Sequence, residues 1–438
     1  MWPDSEMQRT SRIVLILACV SAFALLGFVF LRNLVDFPVY YAAGRSLLSG
    51  RTDLYSPDFA LGRVMDYRYP PFFLMALFPL WLLPYSVAAY IWCLLSVIEI
   101  AGCVVIVRRT FKISKLMWLA VALVVAQYFV MALHYGNAQL LAVFLLFAAL
   151  YFAQRRKDLA AAILMALAIT IKLTPVLLLP YFALKRRWTM LAAVVVFLAA
   201  INIAPSAYFG FRDNNRLLTT WYDHVVASQE FHEDNGPINL SLKGELRRYL
   251  TDIDYSQRVD GDVDYPAVNI ASLSRDRVVQ AWMMIASVLF AGVLLLMWWL
   301  PMSQKPGGEV NDNVALELAV MICMMLLMGP LTSKIYFVAL LWPVACLASV
   351  ASSQASRSGR FATYTMIVLA AANSVLPLLP GRSIQRLLLV LGTDFYVNCL
   401  VMIVLLYALV SRRLASRYRA HEQSGESRTR VPSIAKTS

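Results

Sequence analysis

The sequence predicts an all-α, polytopic membrane protein with about twelve helical spans, and its composition and its apolar runs both point there. Of 438 residues, 60% are hydrophobic and only 15% are charged, whereas an ordinary soluble domain is about 25% charged. Apolar runs of about 20 residues, the length a helix needs to cross the hydrocarbon core, recur from end to end. Only helices and closed barrels satisfy their backbone in lipid, and the alternating ten-residue segments of a barrel are not seen. The net charge of +13 does not argue for nucleic acid. The charges sit in short loops and at the tail, where a membrane protein keeps Lys and Arg on the cytoplasmic side. The cysteines Cys19, Cys93, Cys103, Cys323, Cys346 and Cys399 all lie in apolar segments. They read as small buried hydrophobes, not as disulfides or metal ligands.

The first span is residues 13–31, too long for a signal-peptide core and without a small-residue cleavage site, so it reads as an anchor. Arg9 and Arg12 precede it, which puts the N-terminus in the cytoplasm and Asp36 on the far side. An outer loop follows over residues 32–85. Its end is apolar but broken by Pro70, Pro71, Pro79 and Pro84, and proline cannot continue a helix beyond its first turn without losing a hydrogen bond. The stretch therefore reads as short helices in the interface, with Trp81 and Tyr85 as aromatic anchors. Making it a true span would turn the basic segments at residues 108–115 and 154–158 outward, against the positive-inside rule.

Residues 86–107 then run inward, 116–133 outward and 138–153 inward, with a short outer turn at residues 134–137. Residues 158–188 are broken at Lys172-Leu-Thr-Pro175 and read as two half-spans meeting at Lys172. A lysine in lipid costs about 2.5–3.5 kcal/mol, so Lys172 should face a wet cavity or reach the interface. Residues 189–209 go outward, a polar outer loop covers 210–277, and 278–300 return. Residues 302–313 form an inner loop, 314–328 go out, and 335–350, 361–379 and 387–410 complete the set. The chain reads as a single transmembrane domain over residues 1–411, with a basic, disordered cytoplasmic tail over 412–438.

The polar residues expected at the outer helix ends are few: Asp36, His134, Asn137, Gln139, Lys172, Asn239, Ser241, Lys334 and Tyr336. One carboxylate among several cations suits sugar transfer from a polyprenyl phosphate. The leaving group is already a good anion, so cations suffice to stabilise it. The acceptor hydroxyl needs one base, whereas ordinary glycoside hydrolysis needs two carboxylates. Direct displacement would invert the anomeric carbon. Asp36 has a second reading as the N-cap of a helix starting at Pro38. Lys172 could simply snorkel. Asp53, Asp58 and Asp66 read as solvated or capping. The run at residues 260–264 lacks the Gly and Glu of a calcium loop. Asp252 and Asp254 have the spacing of a metal-binding D-x-D pair in a loop full of aspartates, and His224 and His232 lack cysteine neighbours for zinc. No metal or cofactor is expected. Asn239-Leu-Ser241 is also a glycosylation sequon. A transporter or flippase of lipid-linked sugars is the alternative from another class, supported by the broken helix at Lys172.

Several segments together resemble a known family. They are DFPVYYAAGRSLLSGRTDLY from Asp36, YRYPPFFLMALFPLWLLP from Tyr67, GNAQLLAVFLLFAAL from Gly136, LAITIKLTPVLLLPYFALKRRW from Leu167 and NLSLKGELRR from Asn239. In order and spacing they resemble the membrane glycosyltransferases of the GT-C superfold, and within them the polyprenyl-phosphate-mannose-dependent α-mannosyltransferases of glycosyltransferase family 87. The resemblance covers roughly Asp36 to Pro343. It implies Asp36 as catalytic base, an extracytoplasmic site, a lipid-phosphate sugar donor, a lipid or envelope glycan acceptor, and little dependence on metal. Tyr40 of the opening loop and Arg68 and Tyr69 of the Y-P-P stretch join the candidate substrate contacts. Members often carry a Trp and one or two His after a late Ser-Pro turn. This chain has GPLTSKIYF there, so Lys334 becomes a candidate for the donor phosphate, as a point charge.

Overall fold

The structure is a computed structural model and describes residues 34–51, 53–55, 67–227, 238–252, 266–299, 312–353, 357–376 and 382–429. The first span, Cys19, the calcium-like run at 260–264, Asp254 and His232 lie outside the described residues, as do most of the inner loop and the middle of the first outer loop.

Among the described residues the fold is entirely helical. A short N-terminal group comprises α1 (Phe37–Leu48), α2 (Pro71–Ala76) and α3 (Phe78–Trp81). Long helices α4 (Tyr85–Thr110) and α5 (Lys115–Tyr135) follow, then α6 (Gln139–Gln154) and α7 (Asp158–Ile171). A 3-10 turn (Thr174–Leu178) leads to α8 (Leu179–Leu184), α9 (Trp188–Ile203), α10 (Ser206–Phe209) and α11 (Phe211–Trp221). After the large loop come α12 (Leu242–Leu250), α13 (Arg275–Trp299) and α14 (Asp312–Met328). A second 3-10 turn (Lys334–Leu340) precedes α15 (Leu341–Ser353), α16 (Arg357–Val375), α17 (Arg382–Val390) and α18 (Thr393–Thr429).

Prolines start the short helices where the sequence places them. Pro38, Pro71 and Pro79 each occupy a first-turn position of α1, α2 and α3, where the missing N–H is not needed. Ser114 caps α5 by accepting the Met117 amide, and Gly136, at φ 62°, ends it in the left-handed region. Helix α7 stops at Lys172, whose backbone is extended, and Pro175 opens the 3-10 turn beyond it. The expected break into two short apolar pieces is thus present.

Among the described residues, six stretches are long and apolar enough to cross a membrane, and four shorter apolar helices accompany them; the protein is a multi-pass membrane protein. Burial separates their roles. Of the 18-residue apolar window within Lys334–Ser352, 83% is buried, and that stretch forms the centre of the bundle, whereas 11% of the window within Arg275–Trp299 is buried, leaving most of that helix to lipid. The main core joins α5, α6, α7, α14 and α15 through residues such as Tyr128, Phe147, Met321 and Trp342. A second core of Phe37, Tyr40, Tyr69, Phe73, Trp81 and Trp92 binds α1–α3 to the start of α4.

Three expectations change. Trp81 is not an interfacial anchor: it is fully buried, its indole N–H donates to the Leu74 carbonyl at 2.8 Å, and it lies against Gly44. Tyr85 does remain exposed. The final span begins at Thr393, not at residue 387, because Gly392 at φ 66° separates it from the short α17. Beyond Arg412, α18 continues as helix to Thr429 in place of a disordered tail. Its sequence there holds no proline or glycine before Gly425, so nothing halts propagation early.

The bundle has two chemically distinct ends. At the end where α6 finishes, Arg187 pairs with Asp158 and donates to the Ala153 carbonyl. Nearby Glu317, wholly buried, accepts from Lys185 (2.9 Å), Tyr181 (2.8 Å) and Arg413. Asp36 lies at the other end, where α6 begins.

Candidate active site

The site is built on the turn between α5 and α6. With Gly136 in the left-handed region, a Cβ there would meet the Leu34 side chain at 2.8 Å, so only glycine fits. The turn holds the entering chain: the amides of Val35 and Asp36 both donate to the Tyr135 carbonyl, at 3.2 and 2.8 Å. Trp92 Nε1 donates to the Gly136 carbonyl at 2.9 Å from the opposite side.

Asp36 occupies the N-cap position of α1 but makes no side-chain capping hydrogen bond. Its carboxylate instead accepts from Asn137 Nδ2. Asn137 is itself oriented, since its Oδ1 accepts the Gln139 amide at 2.8 Å. Asp36 is 9% exposed. Burial raises its pKa above the usual carboxylate value, opposed by the Asn137 hydrogen bond and the nearby charges of Lys172 and Arg68. The result is a carboxylate more basic than a surface aspartate, held by one amide and within the electrostatic reach of Lys172 and Arg68.

Lys172, at the broken end of α7, donates to the Tyr336 hydroxyl at 2.7 Å and stands 5.7 Å from the Tyr69 ring centre. The Tyr69 and Tyr40 hydroxyls share a hydrogen bond of 2.9 Å, and the Ala138 amide donates to Tyr40 at 3.4 Å. Asp36, Tyr40, Tyr69, Asn137, Lys172 and Tyr336, drawn from segments up to 300 residues apart in sequence, therefore meet at one place, with the charge of Arg68 reaching it. Gln139 opens α6 beside Asn137, and its Oε1 is buried with no hydrogen-bond partner among the described residues. His134 lies half-buried in the last turn of α5.

Three other candidates have partners within the fold. Asn239 Nδ2 donates to the Pro330 carbonyl at 3.0 Å, and its Oδ1 accepts the amides of Ser241 and Thr332 at 3.1 Å each. Ser241 Oγ caps α12 by accepting the Gly244 amide at 3.2 Å. These contacts clasp the large outer loop to the turn before Lys334. Lys334 stands 3.4 Å from Asp394, whose other oxygen accepts from Tyr128 (2.7 Å) and Asn373 (2.8 Å). Asp394 was not singled out from the sequence. Its only local signal is a place two residues after Gly392 at the start of α18.

The family model of glycosyltransferase family 87 matches residues 67–330, more than half of the chain. That range holds Arg68, Asn137, Gln139 and Lys172, while Asp36, Tyr40, Lys334 and Tyr336 fall outside it. A polyprenol-phosphate-mannose-dependent alpha-(1-2)-phosphatidylinositol pentamannoside mannosyltransferase of Mycolicibacterium smegmatis is 30% identical over 213 residues, 45% of this chain and 50% of that one. The protein of the same name from Mycobacterium tuberculosis is 29% identical over 219 residues, 46% of this chain and 49% of that one. The chain thus matches about half the length of these curated relatives. Among solved structures, the crystal structure of ArnT from Cupriavidus metallidurans bound to undecaprenyl phosphate covers 92% of this chain and 78% of that one. The two share 17% sequence identity and superpose with a TM-score of 0.38.

Proposed function

Because the chain belongs to glycosyltransferase family 87, we propose that it moves a hexose, mannose foremost, from a polyprenyl-phosphate donor to a lipid-linked or cell-envelope glycan acceptor. The observation that carries this reading is Asp36: a buried carboxylate free of capping duty, oriented by Asn137 and within the electrostatic reach of Lys172 and Arg68. The names of the relatives support a mannosyl donor on a polyprenol phosphate and a phosphatidylinositol-based acceptor.

In this scheme Asp36 takes the proton of the acceptor hydroxyl as its oxygen attacks the anomeric carbon. The bond from that carbon to the phosphate oxygen breaks, and the electron pair leaves with the lipid phosphate. Attack opposite the leaving group inverts the anomeric centre. Lys172 and Arg68 offset charge developing on the phosphate. Tyr336 orients Lys172 through their hydrogen bond. Tyr40, Tyr69, His134 and Gln139 line the approach, with the orphaned Gln139 Oε1 able to accept from a sugar hydroxyl; leaving such an acceptor unmet costs about 1–3 kcal/mol. Lys172 and Arg68 supply the positive charge that a metal ion supplies in other transferases, so transfer is expected to proceed in the presence of chelator. The Asp36 end faces away from the cytoplasm, and both termini lie inside, in keeping with the basic residues at the opposite end.

The test is transfer in detergent from a synthetic polyprenyl-phosphate mannose to extracted membrane lipids, with and without EDTA. Labelled mannose in a lipid product, with inverted anomeric configuration, is expected under both conditions. Counterflow of the intact donor in sealed vesicles without any product would replace this reading with a lipid-sugar transporter, for which the break at Lys172 is the supporting feature.

A further inference from the structure

The 3-10 turn that brings Tyr336 to Lys172 is held from behind by a carboxylate that takes no part in the proposed chemistry. In a 3-10 helix, side chains three residues apart eclipse one another. Lys334 and Phe337 therefore share one face of the turn, and Tyr336 lies on another. Each face has its own partners. Tyr336 accepts from Lys172 at 2.7 Å. On the other face, Lys334 Nζ stands 3.4 Å from Asp394 Oδ2, and the Phe337 ring stacks on Tyr128 at 5.6 Å between ring centres. The Tyr128 hydroxyl donates to Asp394 Oδ1 at 2.7 Å. Both contacts to that face of the turn thus converge on one carboxylate.

Asp394 is 3% exposed. Asn373 Nδ2, on α16, also donates to its Oδ1, at 2.8 Å. The neighbours of these donors are fixed in their turn. Ser374 donates to the Val124 carbonyl at 2.7 Å and accepts from Gln127 at 2.9 Å, which locks α16 to the part of α5 that carries Tyr128. One turn along α18, Asn398 donates to the Cys323 carbonyl of α14 at 3.1 Å. Three helices, α5, α16 and α18, therefore meet at the Asp394 carboxylate. Burying such a charge is costly unless its partners are all in place, and apolar side chains would hold three helices together without that cost. A satisfied polar cluster does what apolar packing does less well: it specifies a single arrangement. Here the arrangement specified includes the turn that carries Tyr336.

We propose that Asp394 is a positioning residue for sugar transfer: through Lys334 and Tyr128 it sets the turn that holds Tyr336, and through Tyr336 it sets Lys172 at the donor phosphate. The proposal rests on the transfer reaction given above, with Lys172 at the phosphate. It also gives Lys334 an indirect role. A Lys334 that met the phosphate itself would be released by neutralising Asp394, and the donor would bind more tightly. With Lys334 acting through the turn, the same change weakens donor binding.

The experiment is a double-mutant cycle of Asp394→Asn with Tyr336→Phe in the detergent-solubilised full chain. It reads transfer from polyprenyl-phosphate mannose and, separately, the Kd for undecaprenyl phosphate. Asp394→Asn keeps an oxygen for Tyr128 and Asn373 and removes the charge beside Lys334. With Tyr336 present it should lower kcat/KM about tenfold and raise the Kd, as for residues in one network. In the Tyr336→Phe background the same change should cost less than about twofold, because the link to Lys172 is already gone. Tyr128→Phe keeps the ring on Phe337 and loses only the hydroxyl. It should show the same dependence on Tyr336 with a smaller loss, and it carries the test if Asp394→Asn does not fold. Equal losses in both backgrounds would mark Asp394 as a general support of the bundle and overturn the proposal, as would tighter binding of undecaprenyl phosphate by Asp394→Asn; either result leaves the transfer reaction standing. A wild-type chain that neither transfers mannose nor binds undecaprenyl phosphate overturns the reaction itself, and this proposal with it.

Discussion

Asp36 stands where an aspartate would cap the helix beginning at Pro38, and that reading was open from the sequence. The structure turns the carboxylate away from the α1 amides and towards Asn137. Its pKa direction then has consequences for rate. Burial lifts it, while Asn137, Lys172 and Arg68 pull it down. The acid limb of kcat/KM should therefore lie above the ordinary aspartate value of about 3.9, with activity lost as pH falls through it. Asn137→Ala removes a hydrogen bond to the ionised form, so the limb should move to higher pH; a pH–rate profile with the limb unmoved, or moved to lower pH, would contradict the assignment. The sequence made the members of this cluster visible because they are polar residues at helix ends next to Gly136 and Pro175, where irregular backbone is expected. It could not show that Lys334, Asn239 and Ser241 already have partners. Asp394 lies 60 residues beyond Lys334, and the Pro330 and Thr332 backbone that meets Asn239 comes close only through the packed bundle.

At the level of elements, the N-terminal group carries the site as a unit. Gly44 of α1 lies against the Trp81 indole so closely that a Cβ would fall 2.3 Å from the ring. Phe37 and Trp92 stack at 5.6 Å between ring centres, joining the first turn of α1 to α4. Gly44→Ala should push α1 off α3, costing about 1–3 kcal/mol as an overpacked contact. Because Asp36 heads α1, it should also lower transfer more than donor binding. Melting temperature and initial rate check this together, and a variant unchanged in both would show that α1 is not held this way. Prolines made the short helices α2 and α3 legible in the sequence. The burial of Trp81 was not legible, because an apolar, proline-broken segment looks the same whether its tryptophan meets lipid or a glycine on the neighbouring helix. The boundary at Gly392 shows the same ambiguity, since an apolar run hides a left-handed glycine inside it.

Across the whole molecule, polarity is arranged by ends. Asp36 and Lys172 share one end, and the ion pairs of Lys185 and Arg413 with Glu317 and of Arg187 with Asp158 lie at the other. Hydropathy and the distribution of basic loops anticipated that division, since both follow from the energetics of moving charge across lipid. Single cysteines at Arg51 and Lys157, in a chain whose native cysteines are replaced, test it. An impermeant maleimide should label the first in intact cells and the second only after permeabilisation, and the reverse pattern would invert the molecule. The central claim is chemical: one buried carboxylate activates the acceptor while Lys172 and Arg68 receive the lipid phosphate. It is tested most directly by single-turnover transfer from polyprenyl-phosphate mannose with Asp36→Asn, a change that keeps the shape and removes the base. Transfer should fall by about 10²–10⁴-fold with donor binding retained; an Asp36→Asn protein that turns over at the wild-type rate would contradict it.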